Sequence, residues 1–174
     1  VFSHVNEGTM NLGETTTAAF TLFEELGQEV TYLGRDFLKC CGHDQKWQGL
    51  TEVFEKLKSY NQKKIGESGI DTLVTSCAEC FRTFALDYEL EDMKVMHTTE
   101  FLIEKGFDMN LKTEQETTVT YHDPCRLGRQ VGLYEEPRSL IKDIEGVELV
   151  EMEHNGEDGL CCGVSSMMSC NENS

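Results

Sequence analysis

The trio Cys-Cys-Gly occurs twice in the chain, at 40–42 within LKCCGHDQ and at 161–163 within GLCCG, 121 residues apart. Superposing the trios aligns far more than six residues. QEVTYLG at 28–34 falls within one or two positions of VELVEM at 147–152, and GETTTAAF at 13–20 falls on YEEPRSLI at 134–141. Self-similarity at a fixed offset is the signature of a duplicated structural unit, and it constrains the fold before any single residue does. Cys125 projects back onto His4, while Cys77 and Cys80 project forward to positions 198 and 201, past Ser174. A complete unit therefore reads Cys, 35 residues, Cys-Cys, 35 residues, Cys-x-x-Cys. The first copy has the last four of these cysteines with His4 in the opening position; the second has Cys125, Cys161 and Cys162. A Cys-x-x-Cys pair is expected near 198–201 if the polypeptide continues.

Periodicity around these cysteines alternates between strand and helix. Apolar residues at helical spacing, closed by glycine, predict helices over 15–27 and 50–69. Further helices are expected over 81–90, over 98–106 and over 135–146, the last with Pro137 in its first turn. Short strands are expected at 28–34, 70–77, 93–97, 118–125 and 147–152, and the polar stretch 107–117 reads as a connection. Alternation of this kind implies an α/β fold of two pseudo-repeated Rossmann-like βαβ units with mainly parallel sheets. The first repeat is expected over 1–110 and the second over 118–174. Each cysteine loop follows a predicted strand, so the cysteines are expected at the carboxyl ends of the strands, where open α/β sheets gather ligands.

Composition narrows the partners. With 15 basic and 32 acidic residues the formal net charge is −17, which excludes a nucleic-acid or anionic-membrane surface. No apolar run approaches the roughly 18–20 residues that span a bilayer, and VFSHVNEGTM lacks the basic and apolar parts of a signal peptide. The start at Val1 and the polar end SCNENS suggest a piece of a longer polypeptide. Eight cysteines set among core-forming segments, rather than in a small secreted domain, point to a reducing compartment and to metal or redox use.

On its own, Cys77-x-x-Cys80 fits a thioredoxin-like redox pair, half of a zinc site or a cluster site. The adjacent cysteines narrow the choice. Their Cβ vectors diverge, so an unstrained disulfide between them is disfavoured. A cofactor with several metal atoms suits neighbouring thiolates better than a single tetrahedral ion does, and iron–sulfur clusters are such cofactors. Glycine after each pair lets the backbone turn tightly. Zinc stays open for the first copy, on Cys40, Cys41, Cys77 and Cys80, or on three of these with His4. His122 and Asp123, beside Cys125, are the candidates for proton delivery or, alternatively, for holding the loop. Arg126 and Arg129 are candidates for offsetting cluster charge or binding an anionic substrate. His97, Met167 and Met168 are expected to be structural, and Cys170 has no counterpart in the repeat.

Taken together, Cys40-Cys41-Gly42, Cys77-x-x-Cys80, YHDPCRLGR at 121–129 and GLCCG at 159–163 resemble the cysteine-rich CCG domain of heterodisulfide reductase catalytic subunits. Related modules occur in iron–sulfur subunits of hydroxy-acid and glycerol-3-phosphate oxidation systems. The resemblance covers nearly the whole chain. It implies an oxidoreductase subunit whose complete motif binds a noncubane [4Fe-4S] cluster, with zinc reported in one repeat of some members. It further implies electron transfer to a disulfide such as that of coenzyme M and coenzyme B. Partners would be iron–sulfur or flavin subunits of a cytoplasmic complex, or of one at the cytoplasmic face of a membrane. The alternative is an electron-transfer module of a hydroxy-acid or quinone-linked complex. The implied ligands are Cys40, Cys41, Cys77, Cys80, Cys125, Cys161 and Cys162, with His4 where an opening cysteine belongs.

Overall fold

The structure is a computed structural model that describes residues 12–34, 36–108 and 110–163. His4, Met167, Met168 and Cys170 lie outside the described residues. The chain opens with α1 (Leu12–Glu25). Gly27 ends it at φ +65°, its N–H donating to Glu24 while the Gln28 N–H donates to Phe23. That pair of bonds is the glycine-centred stop expected from the sequence.

The first half continues through α2 (His43–Trp47), α3 (Thr51–Ser68), β1 (Thr72–Thr75), α4 (Ala78–Leu86), β2 (Lys94–His97) and α5 (Thr98–Glu104). α3 buries Phe54, Lys58, Asn61 and Ile65, a stripe at helical spacing with one amide in it. β1 and β2 pair in parallel from Thr72 opposite Lys94 to Thr75 opposite His97, with α4 as the crossover. His97 caps α5, its ring accepting the Thr99 N–H while Glu100 accepts the His97 N–H.

The second half comprises β3 (Lys112–Val119), α6 (Gly128–Val131), α7 (Glu135–Lys142), β4 (Glu145–Leu149) and a 3-10 turn (Gly156–Asp158). β3 and β4 pair in parallel, with a register shift between Lys112 and Thr117. The fold is α/β, with a two-stranded parallel sheet in each half. The halves share their core: Leu140 of α7 packs with Phe23, Met96, Phe101 and Leu102, and Leu127 and Leu133 pack on Phe81 of α4. No helix among the described residues is long and apolar enough to cross a membrane.

Three expected elements differ, one being the strand expected over 118–125, of which only Thr118 and Val119 are strand. The stretch 28–34 forms no strand. With β1 it lines a cleft of about 670 Å³, and its Tyr32 packs edge-on against Phe20 of α1, 5.4 Å between ring centres. The polar stretch 107–117, read as a connection, contributes most of β3. Nearly all of that strand is exposed, so no apolar alternation marks it.

Candidate metal centre

The first Cys-Cys loop enters α2 through Gly42, at φ +82°. A Cβ there would lie 2.8 Å from the Phe54 ring, so both backbone and space demand glycine. The loop backbone is gripped from α3. Asn61, fully buried, accepts the Lys39 N–H (2.9 Å) and donates to the carbonyls of Lys39 (3.3 Å) and Cys40 (3.0 Å). It also donates to the Tyr88 hydroxyl (3.1 Å), which in turn donates to the Cys41 carbonyl (2.9 Å).

β1 delivers Cys77 to the N-cap of α4, and Cys80 follows in the first turn. The Cys80 and Cys41 sulfurs lie 3.4 Å apart. Cys40 also acts on Cys41, and Cys77 on Cys80, so the interactions run Cys40–Cys41–Cys80–Cys77. Cys41 and Cys80 are buried, Cys77 is half-buried and Cys40 is exposed. Hydrogen bonds along this string divide the thiols. Cys41, accepting from Cys40 and Cys80, is held well below its ordinary value, and Cys77 is also lowered by its interaction with Cys80. Cys40 and Cys80, as donors to Cys41, are pushed up. Two of the four sulfurs thus favour the thiolate, the form that ligates metal.

Beside this set, His43 is buried, with Nδ1 3.2 Å from the Thr83 hydroxyl and Nε2 3.5 Å from Glu79. Burial holds the His43 imidazole below its ordinary value. Ligand atoms of His43, Asp44 and Glu79 lie within 4.8 Å of one another. The Arg126 charge acts on both His43 and Glu79, and the Arg82 charge acts on His43 as well.

The second set follows the ends of β3 and β4. Cys125 opens the turn before α6, and Cys161 touches both Cys125 and Cys162. Here Cys125 is half-buried and the pair is exposed. The Gly163 N–H, donating to the Cys161 sulfur, lowers that thiol, while burial raises Cys125. The YHDPCRLGR residues reach across to the pair. His122 Nε2 lies 2.9 Å from the Leu160 carbonyl, Arg129 donates to the Gly159 carbonyl (2.6 Å), and the Gly156 N–H donates to Asp123 (2.7 Å). Asp123 is buried and bound at both oxygens by Arg138 (2.7 Å each), which holds its carboxyl below the usual range.

A cation–aromatic stack joins the two sets. Arg126, next to Cys125, lies 3.9 Å from the ring centre of Trp47, and Arg82 of α4 lies 5.5 Å from the same ring. Among the described residues, then, all seven implied cysteines fall into two converging sets. Seven soft thiols, meeting in strings and carrying lowered thiolates, fit iron–sulfur ligation. Sequence reasoning missed Asn61, Tyr88, Trp47 and Arg138. Only Asn61 left a trace, as a polar residue at helical spacing between Phe54 and Ile65 on the buried face of α3.

The profile of the cysteine-rich CCG domain matches residues 6–85 and 119–174. The chain belongs to that family. Among curated relatives, the CCG chain is 37% identical over 156 residues to a subunit of the dihydromethanophenazine:CoB–CoM heterodisulfide reductase of Methanosarcina acetivorans, covering 84% of this chain and 38% of that protein. It is 37% identical over 126 residues to a subunit of the fumarate reductase (CoM/CoB) of Methanothermobacter marburgensis, covering 71% of this chain and 24% of that protein. The EtfAB:quinone oxidoreductase of Syntrophomonas wolfei is 30% identical over 150 residues, covering 84% of this chain and 21% of that protein. The CCG chain therefore spans well under half the length of these relatives. No solved structure matches it.

Proposed function

We propose that this CCG chain is the cluster-bearing part of an iron–sulfur oxidoreductase subunit acting on a disulfide. The observation that carries the reading is the convergence of two thiol sets in one chain, Cys41 against Cys80 at 3.4 Å and Cys125 against Cys161. Cys40, Cys41, Cys77 and Cys80 would hold one group, and Cys125, Cys161 and Cys162 part of a second; His4 remains a candidate for the first. When bound, an iron–sulfur cluster supplies electrons one at a time and iron with an affinity for thiolate. Kinship with heterodisulfide reductase and fumarate reductase (CoM/CoB) subunits supports a disulfide such as that of coenzymes M and B. It equally supports iron–sulfur or flavin subunits as partners.

The chain's own residues would divide the remaining work. The exposed Cys161–Cys162 edge admits a substrate, while the guanidiniums of Arg126 and Arg129 offset thiolate charge and attract an anionic group. His122 is exposed beside Cys125 with its Nε2–H donated to the Leu160 carbonyl, so Nδ1 is the nitrogen that would take a proton from solvent and pass it to a leaving thiolate. Asp123, with its oxygens taken by Arg138 and Gly156, is assigned to holding the loop. Burial of Cys41 and Cys80 favours a second reading for the first set, a closed relay or a structural zinc.

Iron, acid-labile sulfide and zinc analysis of anaerobically purified protein tests the proposal, together with electron paramagnetic resonance before and after addition of a disulfide. Iron and sulfide in equal amounts, and a signal shifted by the disulfide, are expected. Zinc without iron or sulfide would overturn the reading. An iron signal indifferent to disulfides would leave only the relay.

A further inference from the structure

The polar residues around Cys125 belong to a network that reaches well beyond the motif. Arg138 of α7 is buried, with 4% of its surface exposed, yet its guanidinium is fully occupied. It binds both oxygens of Asp123 at 2.7 Å, both oxygens of Glu151 at 2.7 and 3.0 Å, and the Tyr134 carbonyl at 2.8 Å. Glu151 follows β4, and Asp123 lies between β3 and Cys125. One guanidinium thus ties together the segments leaving both strands of the second sheet, directly below the cysteine loop.

From there the network continues to the loop backbone. Asp123 accepts the Gly156 N–H at 2.7 Å, Arg129 donates to the Gly159 carbonyl at 2.6 Å, and His122 meets the Leu160 carbonyl at 2.9 Å. Three side-chain grips therefore fall on the segment that ends at Cys161, and all originate within four residues of Cys125. Gly159 fits closely under this arrangement: a Cβ there would stand 3.1 Å from the Gly156 carbonyl and 3.5 Å from the Asp123 Cβ.

We infer that Arg138, Asp123 and Arg129 are positioning residues that set the separation and orientation of Cys161 relative to Cys125, across a loop whose regular structure is a single 3-10 turn, Gly156–Asp158. Burial alone could not do this, because Cys161 and Cys162 are exposed and make no core. Backbone carbonyls and an N–H are suited to it, since they move with the loop and cannot change rotamer. Pre-organisation of this kind lowers the entropic cost of bringing two ligands to one centre. The inference rests on the reading that the second set acts as a unit, but its test does not need a metal.

The test is a thiol–disulfide exchange equilibrium on the whole 174-residue chain, anaerobic and with chelator present. Cys125 and Cys161 lose two electrons and two protons to form their disulfide as glutathione disulfide is reduced to two glutathiones. Peptide mass analysis of the quenched mixture gives the equilibrium constant for each pair. Arg129→Met is the main variant, because Arg129 is exposed and its loss leaves no buried charge; Asp123→Asn and Arg138→Lys are the supporting ones. A fall of about tenfold in the Cys125–Cys161 constant is expected for Arg129→Met, with the Cys77–Cys80 constant within twofold of the parent. Arg129→Lys, which restores a donor, is expected to recover part of the loss. A purely stabilising role would lower the melting temperature and leave the constant unchanged well below it. An unchanged Cys125–Cys161 constant in both Arg129→Met and Asp123→Asn, or an equal fall at Cys77–Cys80, would overturn the inference. Failure to bind iron with these constants intact would count against the cluster reading alone.

Discussion

Around Cys40 and Cys41 the loop backbone is held by an amide and a phenol, Asn61 and Tyr88, both buried. Around Cys161 and Cys162 it is held by an imidazole, a carboxylate and a guanidinium, the carboxylate being held in turn by a second guanidinium. The difference follows exposure. The first set is enclosed, and bringing full charges into that enclosure beside lowered thiolates would cost more than neutral hydrogen bonds do. The second set lies at the surface, where Glu151 keeps a third of its side chain in water and the ionic network retains an outlet to solvent. Exposed thiolates also gain from nearby arginines, which the enclosed set meets at its rim, through Arg126 and Arg82 on Trp47. Duplicated spacing has thus been furnished with two different supports.

The largest effect that could break this comparison is expected from Arg138→Met. It strands the buried Asp123 carboxylate with one backbone N–H. Removing one partner of a buried ion pair costs about 3–5 kcal/mol, or roughly 10–15 °C in melting temperature for a chain of this size. Circular dichroism melts measure it. A shift below about 3 °C would mean that the network is not truly enclosed, and the contrast between neutral and ionic support would lose its energetic basis. Replacing Asp123 by Leu in the same chain should recover part of the loss, because the orphaned charge goes with it.

Asn61→Ala comes next. It leaves the Lys39 N–H, the Cys40 carbonyl and the Tyr88 hydroxyl without their amide partner. Unsatisfied buried polar groups of this kind cost about 2–4 kcal/mol in total, read from urea midpoints. The reaction of Cys41 with an aromatic disulfide should accelerate alongside, as its loop loosens. Stability lost without any gain in Cys41 reactivity would show that Asn61 supports the core rather than the thiol loop.

These supports explain how far the sequence could be read. The cysteine sets were legible because spacing along the chain, repeated at one offset, encodes which sulfurs share a loop end. Arg138 and Tyr88 stand at no fixed offset from any cysteine, and their roles exist only once α7 and the residues after α4 are packed. For β3, the sequence KTEQETTV offers no apolar face, since the strand is exposed along nearly its whole length and is defined by pairing with β4. At 28–34 the opposite happened: strand-like residues pair with no strand, while Val30 and Leu33 pack on the core and Tyr32 on Phe20 of α1. Propensity in strands yields readily to such neighbours.

The smallest expected effect is a pH dependence belonging to the first set. His97 ends β2, caps α5 through its ring nitrogen, and interacts with the Ser76 backbone immediately before Cys77. It is buried, and burial holds its imidazole below the ordinary value. The unfolded chain, with an ordinary histidine near 6.5, therefore binds more protons than the folded one as pH falls through that value. Stability rises with pH in this window. The contribution is complete above the unfolded value and is lost as pH falls toward the lowered folded one. A loss of about 1 kcal/mol between pH 7.5 and 5.5 is expected. His43, also lowered by burial, adds to the same window. His97→Asn keeps a capping acceptor but cannot titrate, so its urea midpoint should change less between these pH values than that of the parent chain. A slope equal to the parent's would assign the whole effect to His43, and the support beneath Cys77 would then be independent of pH.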